Sequence, residues 1–227
     1  MTNKEFLIFK KQGINYLTDK NGRIITFKSW LHGSFAPLYD LVMKKSVFPH
    51  KFNASYQEHV RILKSFFLDV HHKTVLEIAT GSGSLTAVLS SDNRYHGVDI
   101  SEGLLRQALK KLKKHGFDDA ELYLSDACSL PFQNETFDLI ICNLSLNFIG
   151  RIDSFINELK RVLKPDSVFF CSVPVPDKVN KKVRIRGVLY PEKELKEKFE
   201  KQHFLFKKWP EENGAVLYFT ATLIKKF

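Results

Sequence analysis

The stretch Val75-Leu76-Glu77-Ile78-Ala79-Thr80-Gly81-Ser82-Gly83-Ser84-Leu85-Thr86 constrains this chain more than any other. An apolar run ends in a carboxylate and then in two glycines one residue apart, the pattern of a buried strand, a tight turn and the first turn of a helix. Gly81 and Gly83 lack a Cβ, so the main chain can turn left-handed there and a ligand can approach it closely. The helix start beyond them presents unpaired N–H groups. The dinucleotide fingerprint needs a third glycine three residues after Gly83, and Thr86 stands there instead. Glu77, closing the strand, would repel a pyrophosphate. Both departures favour a cofactor that carries positive charge.

From Lys73 onward the chain alternates. Apolar runs predict strands over 74–79, 95–100, 121–126, 137–143 and 168–175, and amphipathic segments predict helices over 84–91, 102–115 and 153–163. Such strands, separated by helices, form a mostly parallel sheet covered on both faces. The helix over 102–115 turns Leu104, Leu105, Ala108, Leu109 and Leu112 inward and its lysines outward. Ahead of this core, Asn21-Gly22 between two β-prone runs predicts a hairpin, Pro37 opens a helix, and residues 54–68 form another helix with Val60, Leu63 and Phe67 on one face. That helix is expected on the sheet edge. Behind the core come a basic loop over 178–186, a helix from Pro191 through Gln202, and an Asn213-Gly214 turn before the strand 215–222, which together make a terminal antiparallel hairpin. Residues 1–73 are expected to form a hairpin and helical cover over the active site, and residues 74–227 the core.

With 227 residues and 44% apolar content the chain can bury a real core, and no run is long enough to cross a bilayer. The start of the chain has no apolar segment of signal-peptide type, so a cytoplasmic protein is expected. Three scattered cysteines, Cys128, Cys142 and Cys171, make neither a disulfide framework nor a metal site and read as small buried hydrophobes. The net charge of +10 is unevenly placed. Residues 1–73 carry 12 basic and 5 acidic side chains, residues 74–177 carry 10 and 14, and residues 178–227 carry 13 and 6. An acidic middle thus lies between two basic ends.

In an open α/β sheet, ligands bind beyond the carboxyl ends of the strands at the switch in strand order. The polar residues closing the strands are Glu77, Asp99, Asp126 and Asn143. Asp99 follows Gly81 by 18 residues, near the spacing at which a carboxylate receives ribose hydroxyls. Five ordered blocks extend this pattern: Val75 to Gly83, Gly97-Val98-Asp99-Ile100-Ser101, Ser125-Asp126-Ala127 with Leu130-Pro131-Phe132, Phe137 to Asn143, and Arg161-Val162-Leu163-Lys164-Pro165. In them the chain resembles the class I S-adenosylmethionine-dependent methyltransferases, within them the small-molecule group of the ubiquinone and menaquinone C-methyltransferases. It departs at Ala79 and at Asp166-Ser167, where the family usually has glycines. The resemblance implies a Rossmann-like, doubly wound, seven-stranded α/β sheet. It also implies that Asp99 takes the ribose, Ile100 packs on adenine, and Asp126 accepts from the adenine amino group beside Ala127. Glu77, Ala79, Thr80, Gly81 and Gly83, with Asn143 and Leu144, would hold the methionine portion. An acidic, phosphate-free cleft suits a sulfonium cofactor with an ammonium group.

Methyl transfer is an in-line displacement that needs alignment and exclusion of water. Where the acceptor is an oxygen or an acidic carbon a general base helps, and His32, His50 and His59 are the candidates, His59 foremost. Tyr39 resembles the tyrosine that family members place over the cofactor. The basic ends suggest an anionic acceptor held by Arg184 and Arg186, and Phe35, Tyr56 and Tyr190 suggest an apolar or ring-bearing body. A nucleic-acid (RNA) methyltransferase using the basic flanks is the first alternative. It is disfavoured because Asn143-Leu144-Ser145-Leu146 replaces the Asn/Asp-Pro-Pro-Tyr of base-amino enzymes and no Pro-Cys nucleophile occurs. A non-catalytic cofactor-binding module is the second.

Overall fold

The computed structural model describes residues 7–27, 41–179 and 184–224. Among the described residues nine strands form one sheet: β1 (Leu7–Lys11), β2 (Ile14–Thr18), β3 (Thr74–Ile78), β4 (Arg94–Asp99), β5 (Glu121–Leu124), β6 (Phe137–Asn143), β7 (Leu163–Pro174), β8 (Phe204–Lys208) and β9 (Val216–Leu223). Their order is β1-β2-β5-β4-β3-β6-β7-β9-β8. Pairings from β2 to β7 are parallel, and β9 and β8 add the expected antiparallel hairpin. The switch in order falls between β3 and β6, as the apolar, doubly covered strands require.

Among the described residues four α-helices that cover the sheet are complete: α1 (Tyr56–Phe67), α2 (Glu102–Lys114), α3 (Ile152–Val162) and α4 (Glu192–Lys201). Leu105, Ala108 and Leu112 of α2 share one apolar cluster with Ile62, Leu63 and Phe67 of α1. On the opposite face Phe155, Ile156 and Leu159 of α3 pack with Leu195 and Phe199 of α4. Ser55 starts α1 by accepting the Glu58 N–H at 3.2 Å, a cap that satisfies one orphan donor.

Several expectations are corrected. The N-terminal hairpin turns at Gln12 and Gly13 (φ 51° and 82°), not at Asn21-Gly22, which makes a smaller turn with a single bridge between Thr18 and Ile24. Two consecutive left-handed residues match the right-handed twist of the strands they join. Because β2 pairs with β5, this hairpin widens the sheet from the expected seven strands to nine. The helix expected over 84–91 is one short turn, Ser84–Ala87. Helix α1 lies over the sheet face rather than its edge, with Phe66 and Phe67 against Phe170 of β7 and His59 against Tyr218 of β9. The helix opened by Pro37 lies largely outside the described residues, as do His32, Phe35 and Tyr39.

Candidate active site

One cavity of about 490 Å³ opens at the carboxyl ends of β3, β4, β5 and β6. Its floor is the glycine turn. Ala79 (φ 54°) and Gly81 (φ 58°) both adopt left-handed backbone there, which reverses the chain within three residues of Ile78. A Cβ on Gly81 would meet nothing nearer than the Ala79 carbonyl at 3.8 Å, so the main chain is open to the cavity. Gly83 (φ 79°) does not line the wall. A Cβ there would stand 3.0 Å from Cα of Ala108, so its bareness lets α2 pack against the turn.

The carboxylates of three strand ends meet in this wall. Asp99 accepts the Gly81 N–H at 2.9 Å on one oxygen and the Ser101 N–H at 2.8 Å on the other, tying the end of β4 to the turn. The Ile100 N–H also bonds this carboxylate, so backbone donors fix its orientation towards the cavity. Burial raises its pKa from the ordinary carboxylate value. Glu77 is buried and accepts the Tyr95 hydroxyl, and burial, with the Asp99 charge adding, pushes its carboxyl up to about 8. Asp126 accepts the Cys128 N–H at 2.8 Å and pairs with Arg151, a cation that also lines the cavity.

Ala79, Thr80, Ile100, Ala127, Asn143 and Leu144 of the expected set also line the wall. Asn143 receives the Ser172 hydroxyl at 2.6 Å, and Leu144 (φ 55°) donates its N–H to the Ser172 carbonyl at 2.8 Å. The opposite wall is apolar and aromatic: Phe27, Met43, Phe48, Tyr56, Val60 and Leu63. His59 completes it, buried, with Nδ1 2.9 Å from the Tyr218 hydroxyl and its pKa lowered by burial to about 3. Among these, Phe27, Met43, Phe48 and Arg151 escaped the sequence reading. The first three stand apart in the chain from any motif, and Arg151 is signalled only by following the fourth-strand block.

Arg184, Arg186 and Tyr190 are not in the cavity wall. Tyr190 is buried beside Leu195 and Phe199 in the α3–α4 cluster, and the backbone of 186–188 is pinned to Asn147 by bonds from Asn147 to the Arg186 carbonyl and from Val188 to the Asn147 carbonyl, both 2.7 Å. The exposed His50 lies outside the wall too. Among the described residues no helix is long and apolar enough to cross a membrane, and no three His, Cys, Asp or Glu side chains cluster to hold a metal. Cys142 and Cys171 are buried; Cys128 is half-buried at the cavity, its thiol pushed up to about 11 by burial.

A methyltransferase-domain model matches residues 69–218. The chain belongs to the methyltransferase-domain family. This chain is similar to the demethylmenaquinone methyltransferase of Symbiobacterium thermophilum, 34% identical over 102 residues that make up 43% of this chain and 41% of that protein. It is also similar to the ubiquinone/menaquinone biosynthesis C-methyltransferase of Escherichia coli, 32% identical over 114 residues, 46% of this chain and 45% of that one. The matches thus span less than half the length of these curated relatives. The crystal structure of an S-adenosylmethionine-dependent methyltransferase from Aquifex aeolicus superposes with a TM-score of 0.63 at 22% identity, covering 86% of this chain and all of that one, a likeness of fold. The family is that of the methyltransferase domain, and the fold is the one that this S-adenosylmethionine-dependent methyltransferase has. The wall fits such a cofactor: Asp99 supplies a carboxylate, Asp126 is balanced by Arg151, and the buried Glu77 is a third carboxyl that a bound ammonium would ionise, an arrangement that suits a sulfonium and an ammonium better than a phosphate.

Proposed function

We propose that this protein transfers a methyl group from S-adenosylmethionine to a small, ring-bearing, largely apolar acceptor. The observation that carries the reading is the two-sided cavity, acidic at the strand ends and aromatic across from them. Asp99 would receive the ribose hydroxyls, Ile100 and Ala127 the adenine, and Asp126 its amino group. Glu77, the turn over Ala79, Thr80 and Gly81, and the Asn143-Leu144 corner would hold the methionine portion. When bound, the cofactor supplies an electrophilic methyl group on a leaving group that needs no protonation. The protein's own part is to align the acceptor against it and to exclude water, which Phe48, Tyr56, Val60 and Leu63 serve.

The relatives are named for demethylmenaquinone and for ubiquinone/menaquinone biosynthesis, and an acceptor of the quinol kind suits the aromatic wall. An anionic acceptor finds less support: its expected clamp, Arg184 and Arg186, lies outside the cavity, and Arg151 is paired with Asp126. Tyr39, which lies outside the described residues, is kept as the residue that would shield the cofactor on the strength of the sequence resemblance alone. The test is transfer of labelled methyl from S-adenosylmethionine to hydroquinones, carboxylated aromatics and RNA in parallel. Label on the ring compounds supports the reading; label confined to RNA, or binding without transfer to any acceptor, overturns it.

A further inference from the structure

We propose that Asn213 and Tyr218 hold His59 as the neutral ring with its proton on Nε2, so that His59 positions Asn143 and takes no proton from the substrate. The consequence for catalysis rests on the methyl-transfer reading; the geometry does not.

A chain of hydrogen bonds with one direction runs from the backbone of Ser55 to the cavity. Asn213 Oδ1 accepts the Ser55 N–H at 2.8 Å, while its Nδ2 donates to the Ser55 carbonyl at 2.8 Å. Those two contacts settle which end of the amide is oxygen and which is nitrogen. The same Nδ2 lies 3.2 Å from the Tyr218 hydroxyl, which must therefore accept. Tyr218 is buried, and its single hydroxyl proton has an acceptor in His59 Nδ1 at 2.9 Å. Nδ1 is then bare and Nε2 carries the ring proton.

His59 lies within hydrogen-bond reach of the Asn143 side chain. With Nδ1 occupied by Tyr218 and the proton on Nε2, the ring can only donate, so the group that receives it is the Asn143 amide oxygen. That oxygen also receives the Ser172 hydroxyl at 2.6 Å, and the Ser172 oxygen in turn receives the Leu144 N–H at 3.0 Å. A carbonyl oxygen has two lone pairs, and both are taken. Asn143 is left with its Nδ2 donors for the cavity it lines. The ring is packed among Phe48, Tyr56 and Tyr218, surroundings that disfavour its charged form.

The wall therefore meets its ligand with an amide donor, suited to a carboxylate, carbonyl or phenolate oxygen. The acceptor must reach its nucleophilic form without His59, which an acidic phenol or enol does in solution.

The tautomer is read directly by nitrogen NMR of histidine-labelled protein, with the His59 signals identified by their loss in His59→Gln. The wild-type ring is expected to show a protonated Nε2 and a bare Nδ1. In Asn213→Asp a carboxylate faces Tyr218 and accepts a hydrogen bond from its hydroxyl, whose oxygen is then left to accept from the ring, so the ring proton moves to Nδ1. A wild-type ring protonated on Nδ1, or on both nitrogens at neutral pH, overturns the proposal whether or not the variants fold. The positioning role is read separately by titrating S-adenosylhomocysteine. Glutamine can accept from Tyr218 and donate to Asn143, whereas alanine does neither, so His59→Gln is expected to bind about threefold to tenfold tighter than His59→Ala. Equal affinities of the two variants would overturn that role. Failure of the wild type to bind S-adenosylhomocysteine would count against the methyl-transfer reading alone, because the tautomer is measured without ligand.

Discussion

Glu77 is the residue at which cofactor chemistry and protein chemistry meet. In the free protein burial holds its carboxyl up to about 8, so it is protonated at neutral pH. A bound ammonium favours the carboxylate, and binding below pH about 8 must then release a proton. The affinity for S-adenosylhomocysteine is accordingly expected to rise with pH and to level off above about 8. Calorimetry at pH 7 in buffers of different ionisation enthalpy should report the proton released, and Glu77→Gln should abolish both the release and the pH dependence. An affinity that falls over this range would contradict the assignment. Ala79 offers a second prediction. It holds φ 54° where the family usually has glycine, and left-handed backbone costs a residue with a Cβ about 1–2 kcal/mol, part of which glycine gives back as unfolded-chain entropy. Ala79→Gly should therefore raise stability by about 0.5–1 kcal/mol, seen as a higher midpoint in urea. The second departure has the same local logic: Asp166 sits at φ 62°, a conformation that Asp tolerates better than most residues.

At the scale of elements, the aromatic wall is held by the far end of the chain. The loop between β8 and β9 docks on the segment before α1: Ala215 donates to the Phe52 carbonyl at 2.7 Å, and Asn213 brackets Ser55. Gly214 (φ 56°) makes that approach possible, since a Cβ there would stand 2.1 Å from the Asn53 carbonyl oxygen and 2.4 Å from that of Phe52. Neither neighbour can rotate away, because both atoms are backbone. Gly214→Ala is expected to cost about 2–4 kcal/mol in chemical denaturation, combining left-handed strain with a displaced wall. A loss under about 1 kcal/mol would mean that the wall is not anchored here. Asn213-Gly214 was legible as a turn, because that signal is local. Its contact with Ser55, 158 residues earlier, was not, and neither was the tautomer it sets on His59. The same limit explains the misplaced hairpin. Asn21-Gly22 is the stronger turn dipeptide, but the strand that fixes β2 is β5, over a hundred residues on. The glycine turn and the strand-end carboxylates were readable because parallel strands bring their own ends together at the switch point.

The whole molecule closes its cavity from two sources, the sheet and the first quarter of the chain, and a ligand between them must bind to both. Cofactor contacts alone would engage the turn over 79–83 and the strand ends; occupation of the full 490 Å³ would also engage Met43, Phe48, Tyr56 and Leu63. Those wall residues sit on Met43–Lys51 and on α1, which reach β9 through the buried pair His59–Tyr218. Anything that binds only the folded chain stabilises it by mass action, about 2.7 kcal/mol at a hundredfold excess over the dissociation constant. For a chain of 227 residues that corresponds to a rise in the thermal midpoint of roughly 5–10 °C. Hydrogen exchange then decides how the stabilisation is distributed. If the two walls act as one site, S-adenosylhomocysteine slows exchange in α1 and in Met43–Lys51 as well as in the glycine turn, and adding the methyl acceptor slows α1 further. Protection confined to 79–101 would show instead that the aromatic wall belongs to a separate, independently opening part of the fold.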